Sequence, residues 1–168
     1  MINGYDVLKK IYPNFDEELR TPNGLDLRLG KVYELSEDAP SYGIYKDKKF
    51  IPEHIELMPE DLPRNGKKGW KLQPQRPYIL EVDRQIKISN DSMQLYHPRS
   101  SLLRSATNVF TAVGDAGYNG KLAFLFINFH SRPFIMEKGV PFVQLIDFDV
   151  RGASIAYDGD FQEEEDES

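Results

Sequence analysis

The stretch His97–Asn128, HPRSSLLRSATNVFTAVGDAGYNGKLAFLFIN, decides the fold. It opens on two arginines that bracket two serines, turns through Gly114, Gly117 and Gly120, and closes on an apolar run. Val109–Val113 and Lys121–Phe129 read as strands, because β-branched and aromatic residues fill them and turn residues separate them. The three glycines mark a tight hairpin whose backbone can come close to a ligand. Working outward, runs of the same kind occur at Pro77–Val82, Met93–Tyr96, Phe134–Met136 and Val140–Val150. Upstream, Leu25–Leu35 has Leu25, Leu27 and Leu29 alternating with Asp26 and Arg28, the pattern of a half-buried strand. The helical spacing of Tyr5, Leu8 and Ile11 predicts one short N-terminal helix over Asn3–Ile11, capped by Asn3 and stopped by Pro13. Glu37–Gln75 is rich in Pro, Gly and charge; it reads as an excursion with short strands near Tyr42–Tyr45 and Ile55–Leu57. Many short strands and little helix point to an all-β sandwich or barrel.

A chain of 168 residues suits one domain. The expected domain covers residues 1–162, and the acidic tail EEEDES, residues 163–168, is expected to lack fixed structure. The five acids of that tail account for most of the net charge of −6. The remaining body is close to neutral, which disfavours a general nucleic-acid binder but not a small anion held by a few arginines. No apolar run is long enough to span a membrane, and the N-terminus lacks the pattern of a secretion signal. The absence of cysteine removes disulfides, thiol nucleophiles and Cys-based zinc sites, and fits a cytoplasmic protein.

Arg99–Ser100–Ser101–Leu102–Leu103–Arg104 offers two guanidiniums and two hydroxyls with no acid among them. That set suits a phosphate, because arginine binds phosphate in a bidentate fork. A helix cap with surface arginines is the plainer reading. Asp115, inside the glycine-rich hairpin, can orient a water or simply close an Asx turn. Asp26 is a polar position on an alternating strand, and Gln144 is a mid-strand polar residue; either can be an ordinary outward side chain. His54, His97 and His130 show no metal-ligand spacing.

Taken together, these segments resemble the dUTPase and dCTP deaminase superfamily. TPNGLDLRLG at Thr21–Gly30 is similar to its first strand motif, and Pro98–Arg104 to its R-S-S-L-x-R motif. Asp115–Asn128 resembles the strand pair that follows D-x-G-[WYF]-x-G. Gly139–Phe148 resembles G-x-x-x-x-Q-L-x-F, and YDGDFQ at Tyr157–Gln162 resembles a deaminase-type tail. The resemblance covers most of the chain outside residues 37–75. It implies a mainly β, distorted, jelly-roll-like barrel with a short N-terminal helix, assembled as a homotrimer with shared active sites. It implies dUTP as substrate and Mg²⁺ carried on the triphosphate. Arg99, Ser100, Ser101 and Arg104 would clamp phosphates, with Gln144 meeting them from a neighbouring edge. Asp115 would orient the water, and Asp26 would hold the metal assembly. Tyr118 would hold the base and sugar, and Tyr157 and Gln162 would fold over the nucleotide.

Deaminases of this family place a glutamate ten residues beyond the aspartate; here that position is Leu125. Leucine cannot move a proton, and the zinc deaminase pattern is absent. The resemblance therefore points to hydrolysis of dUTP, closest to the deaminase-like dUTPases that are mostly archaeal. Deamination of dCTP, alone or combined with hydrolysis, and a non-catalytic nucleotide-binding protein on the same fold are the alternatives. The tail departs from both branches, with no Gly-rich arginine arm and with Asp160 where deaminases often carry lysine.

Overall fold

The computed structural model describes residues 1–152 and 157–159. Helix α1 spans Tyr5–Ile11, and a 3-10 turn at Glu17–Leu19 leads into β1, Arg20–Thr21, and β2, Gly24–Leu35. The excursion holds β3 (Gly43–Ile44), β4 (Lys49–Phe50), β5 (His54–Leu57), β6 (Glu60–Asp61) and β7 (Lys68–Leu72). Then come β8 (Pro77–Lys87), β9 (Ser92–Pro98), helix α2 (Ser100–Arg104), β10 (Thr107–Phe110), β11 (Asn119–Asn128), β12 (Phe134–Glu137) and β13 (Pro141–Asp149).

The main sheet runs in the order β10-β11-β8-β2-β13-β9, with β1 and β5 also pairing β2. Its ends nearly meet. Beyond β10 the chain bridges back to β9, where Gln94 and Gly114 exchange backbone hydrogen bonds of 2.9 and 2.8 Å. This is the expected barrel, and near-closure leaves little unpaired edge. Alternation decides what fills it. Leu25, Leu27 and Leu29 of β2, Leu80 and Val82 of β8, Phe124 and Phe126 of β11, and Val143 and Leu145 of β13 are all buried. The opposite face of β11 carries Lys121, Ala123, Leu125 and Ile127, none of them fully buried.

Three details differ from the sequence reading. Asn3 does not cap α1; the cap is Gly4, without a side-chain bond. The Asn3 amide instead donates to Asp147 at 2.7 Å and to Asp149 at 2.8 Å. Strand β10 ends at Phe110 rather than Val113, and β8 continues past Val82 to Lys87 because Gln85, Ile86 and Lys87 pair with β11. The excursion is more ordered than expected, since β7 pairs both β6 and β12 and brings Trp70 and Leu72 into the core. Among the described residues no helix is long and apolar enough to cross a membrane.

Candidate active site

The expected site residues fall into separate places within one chain. Asp26 lies in β2, on the face opposite its leucine neighbours, yet it is buried. Its cover is the Arg99 guanidinium, which forms an ion pair with its carboxylate. Two backbone features set this up. Arg99 stands at the N-cap of α2, and its N–H donates to the Phe142 carbonyl at 3.0 Å, fixing the turn against β13. Gln144 of β13 pairs directly with Asp26 on one side and His97 on the other. Its amide donates to the Thr21 hydroxyl at 2.5 Å. Burial pushes the Asp26 carboxyl above its ordinary pKa, and Arg99 only partly offsets that. Asp26, Arg99 and Gln144 are therefore one cluster, with donors available for an anion.

Ser100 and Ser101 are exposed in the first turn of α2. Ser101 lines a cavity of about 630 Å³ together with Leu62, Arg64, Phe134, Met136 and Glu137. Arg104, at the far end of α2, faces a different groove of about 370 Å³ with His130 and Arg132. The two arginines of the motif thus have different surroundings. Thr107 accounts for the compact exit of the helix, its hydroxyl donating to the Leu102 carbonyl at 2.9 Å.

Asp115 belongs to neither place. It lines a cavity of about 390 Å³ with Tyr96, Tyr118, Ala123, Phe124 and Tyr157. Tyr118 and Tyr157 meet edge to face, 5.5 Å between ring centres, and the Tyr157 N–H donates to the Ala116 carbonyl at 2.8 Å. Arg99, Ser100, Arg104 and Gln144 are not among this cavity's lining residues. Leu125 is not either; it is half-buried on the outer face of β11, between Ile79 and Phe110. Gln162 lies outside the described residues.

Sequence reasoning missed Tyr96, Gln94 and Thr21. Tyr96 and Gln94 occupy buried positions of the alternating β9, so a polar residue at Gln94 was the available signal. Nothing local marks Thr21 as the partner of Gln144, 123 positions away. Among the described residues no three His, Cys, Asp or Glu side chains gather to hold a metal ion.

The described residues thus form a near-closed β-barrel with an Arg–Asp–Gln cluster at a short helix and, apart from it, an aspartate in an aromatic cavity. The sequence matches the dCTP deaminase-like family over residues 6–149, and the chain belongs to that family. It is 38% identical over 163 residues to a probable deoxyuridine 5'-triphosphate nucleotidohydrolase of Methanothermobacter thermautotrophicus, covering 97% of this chain and 100% of that relative. A protein of the same name from Methanopyrus kandleri is 35% identical over 96% of this chain and 99% of its own length. Among solved structures, the 2'-deoxycytidine 5'-triphosphate deaminase of Agrobacterium tumefaciens superposes with a TM-score of 0.65 at 19% identity. That match covers 87% of this chain and about half, 48%, of the deaminase chain, and it bears on the fold alone.

Proposed function

We propose that this chain hydrolyses dUTP to dUMP and pyrophosphate, by attack of water on the α-phosphorus. The observation that carries the reading is the likeness, along the whole chain, to relatives named for dUTP hydrolysis. The geometry agrees with it. A cavity of about 390 Å³ with aromatic walls is of a size for a pyrimidine nucleoside, and Asp115 is the one carboxylate among its described lining residues. Asp115 would hold the attacking water and accept its proton. Tyr118 and Tyr157 would flank the base and sugar. Arg99, with the hydroxyls of Ser100 and Ser101, would meet the phosphates, and Gln144 and Arg104 would extend the grip.

Mg²⁺ fits this donor set as a passenger on the triphosphate, since no acid cluster of the described residues would hold it alone. It would draw charge from the phosphates; Asp26, beside Arg99, is the carboxylate that would steady its water shell. Chelation with EDTA should abolish turnover, and excess Mg²⁺ should restore it.

The separation of Asp115 from the Arg99 cluster favours a site completed between copies of the chain, in a homotrimer. Tyr33, Ile79, Leu125 and Phe110 form a row across β2, β8, β11 and β10 on the outer face, an apolar strip suited to a second copy. Pyrophosphate release from dUTP, set against dCTP, dTTP and UTP with Mg²⁺ present, tests the activity. Preference for dUTP supports it, and equal or absent release contradicts it.

A further inference from the structure

Behind the Asp115 cavity lies a buried polar chain that the proposed chemistry does not use. The Tyr96 hydroxyl donates to the Gln94 side-chain oxygen at 2.7 Å. The Gln94 amide donates to Asp147 at 3.0 Å and also to the Tyr12 hydroxyl. Asn3 donates to the other oxygen of Asp147 at 2.7 Å. The Tyr12 hydroxyl donates in turn to the Lys87 carbonyl at 3.4 Å. Gln94 is fully buried, and Asp147 and Tyr96 nearly so.

The direction of this chain is fixed by valence. A carboxamide has two N–H donors and one acceptor oxygen. The two Asp147 oxygens accept from the Asn3 and Gln94 amides, so the amide nitrogen of Gln94 faces Asp147. The oxygen then faces Tyr96, and the Tyr96 proton must point at Gln94. Burial first, then nearby acidic groups including Asp115, raise the Tyr96 pKa and keep the phenol protonated. Its single proton is taken up in the hydrogen bond to Gln94 and is not directed at Asp115.

The same residues grip the stem of the loop. Gln94 holds Gly114 through both backbone hydrogen bonds. The Tyr96 oxygen stands so close to Gly114 that a Cβ there would come within 2.3 Å of it. The Thr111 hydroxyl ties the approach to the loop by donating to the Tyr96 carbonyl at 2.8 Å. Asp115 is the next residue after Gly114, so any slack at this contact moves its carboxylate.

We infer that Tyr96 is a positioning residue for Asp115: its hydroxyl, oriented by Gln94 and Asp147, braces Gly114 and sets the carboxylate that holds the water. The inference rests on the proposed hydrolysis and adds to it. Reactivity is steep in such placement, where an error of about 1 Å can cost about a hundredfold.

The test is Tyr96→Phe, which keeps the ring and deletes the brace. The expected result is a kcat for dUTP lower by about tenfold with KM within about twofold, as for a group acting through the reacting geometry. Hydrogen exchange at the Gly114 and Asp115 amides should quicken in the same variant, a readout that needs no activity. Tyr12→Phe removes the far end of the chain but leaves Asp147 to orient Gln94; it should leave kcat and loop exchange near wild type even if melting falls. Gly114→Ala pushes on the same hydroxyl from the other side and should reproduce the loss of kcat. Unchanged loop exchange in Tyr96→Phe overturns the inference, as does wild-type kcat or an equal fall in Tyr12→Phe. A wild-type protein that does not turn over dUTP would sink the proposed hydrolysis instead, with loop exchange still deciding the brace.

Discussion

Asp115→Asn changes one atom type and leaves the loop its shape. The amide cannot take a proton from water as a carboxylate does, so turnover should fall by two or more orders of magnitude while a non-hydrolysable dUTP analogue still binds. Calorimetric titration and pyrophosphate release check the two halves; near-normal turnover removes Asp115 from the chemistry. Asp26 behaves differently, because burial raises its pKa in the fold. The folded state therefore holds that proton more readily than the unfolded chain, and above the raised pKa the ionised group costs stability. Asp26→Asn lifts that cost, while the half-exposed Arg99 can still be hydrated. The variant should melt no lower than wild type near neutral pH, with the gap narrowing as pH falls through the Asp26 titration, and its turnover should drop. Melting several degrees lower at neutral pH would show that the ion pair is a net stabiliser. At this scale the sequence nominates residues for the chemistry but does not reveal their environment. Asp26 sits on an alternating strand and reads as solvent-facing; its cover arrives from Arg99, 73 positions away. A pairing at that range leaves no trace in local periodicity.

Strand β2 is the element on which the proposed phosphate cluster depends. It pairs β13 so that Asp26 meets Gln144, and at its start Gly24 lies against the Leu145 backbone. A Cβ on Gly24 would fall 1.8 Å from the Leu145 carbonyl oxygen, so the strands would have to part. Gly24→Ala should destabilise the fold by about 1–3 kcal/mol, the usual cost of overpacking, and weaken phosphate binding with it. Thermal melting with and without a dUTP analogue checks both; an unshifted melting point would mean the strands yield more easily than the close approach implies. Strand identities were legible from local signals, apolar alternation in Leu25–Leu29 and the β-branched and aromatic run of Lys121–Phe129. Their ends were less so. The predicted strand stops at Val82, yet β8 runs on to Lys87 because β11 has residues to pair there. Asn3 looks like a helix cap, yet buried Asp147 claims its amide. In both cases a tertiary partner outweighed the local preference.

At the scale of the whole molecule, the described residues of one chain leave the two halves of the proposed site in different places. Asp115, Tyr118 and Tyr157 share one cavity, and Arg99, Asp26 and Gln144 cluster elsewhere. The proposed shared site makes a specific prediction. Arg99→Ala and Asp115→Asn should each be inactive alone, and mixed subunits should regain part of the activity, since some interfaces then join an intact half from each. No recovery after verified subunit exchange would place the complete site within one chain. The sequence carried the motifs of both halves but not their separation, which depends on how the barrel distributes β2, α2 and the loop after β10. In the proposed reaction water attacks the α-phosphorus and the base is left alone. The deciding measurement is incubation of the unmutated protein with dUTP, and separately with dCTP, in ¹⁸O-enriched water with Mg²⁺. The expected result is ¹⁸O in dUMP, unlabelled pyrophosphate and no ammonia from dCTP; label in pyrophosphate, or ammonia released from dCTP, would overturn the proposed reaction.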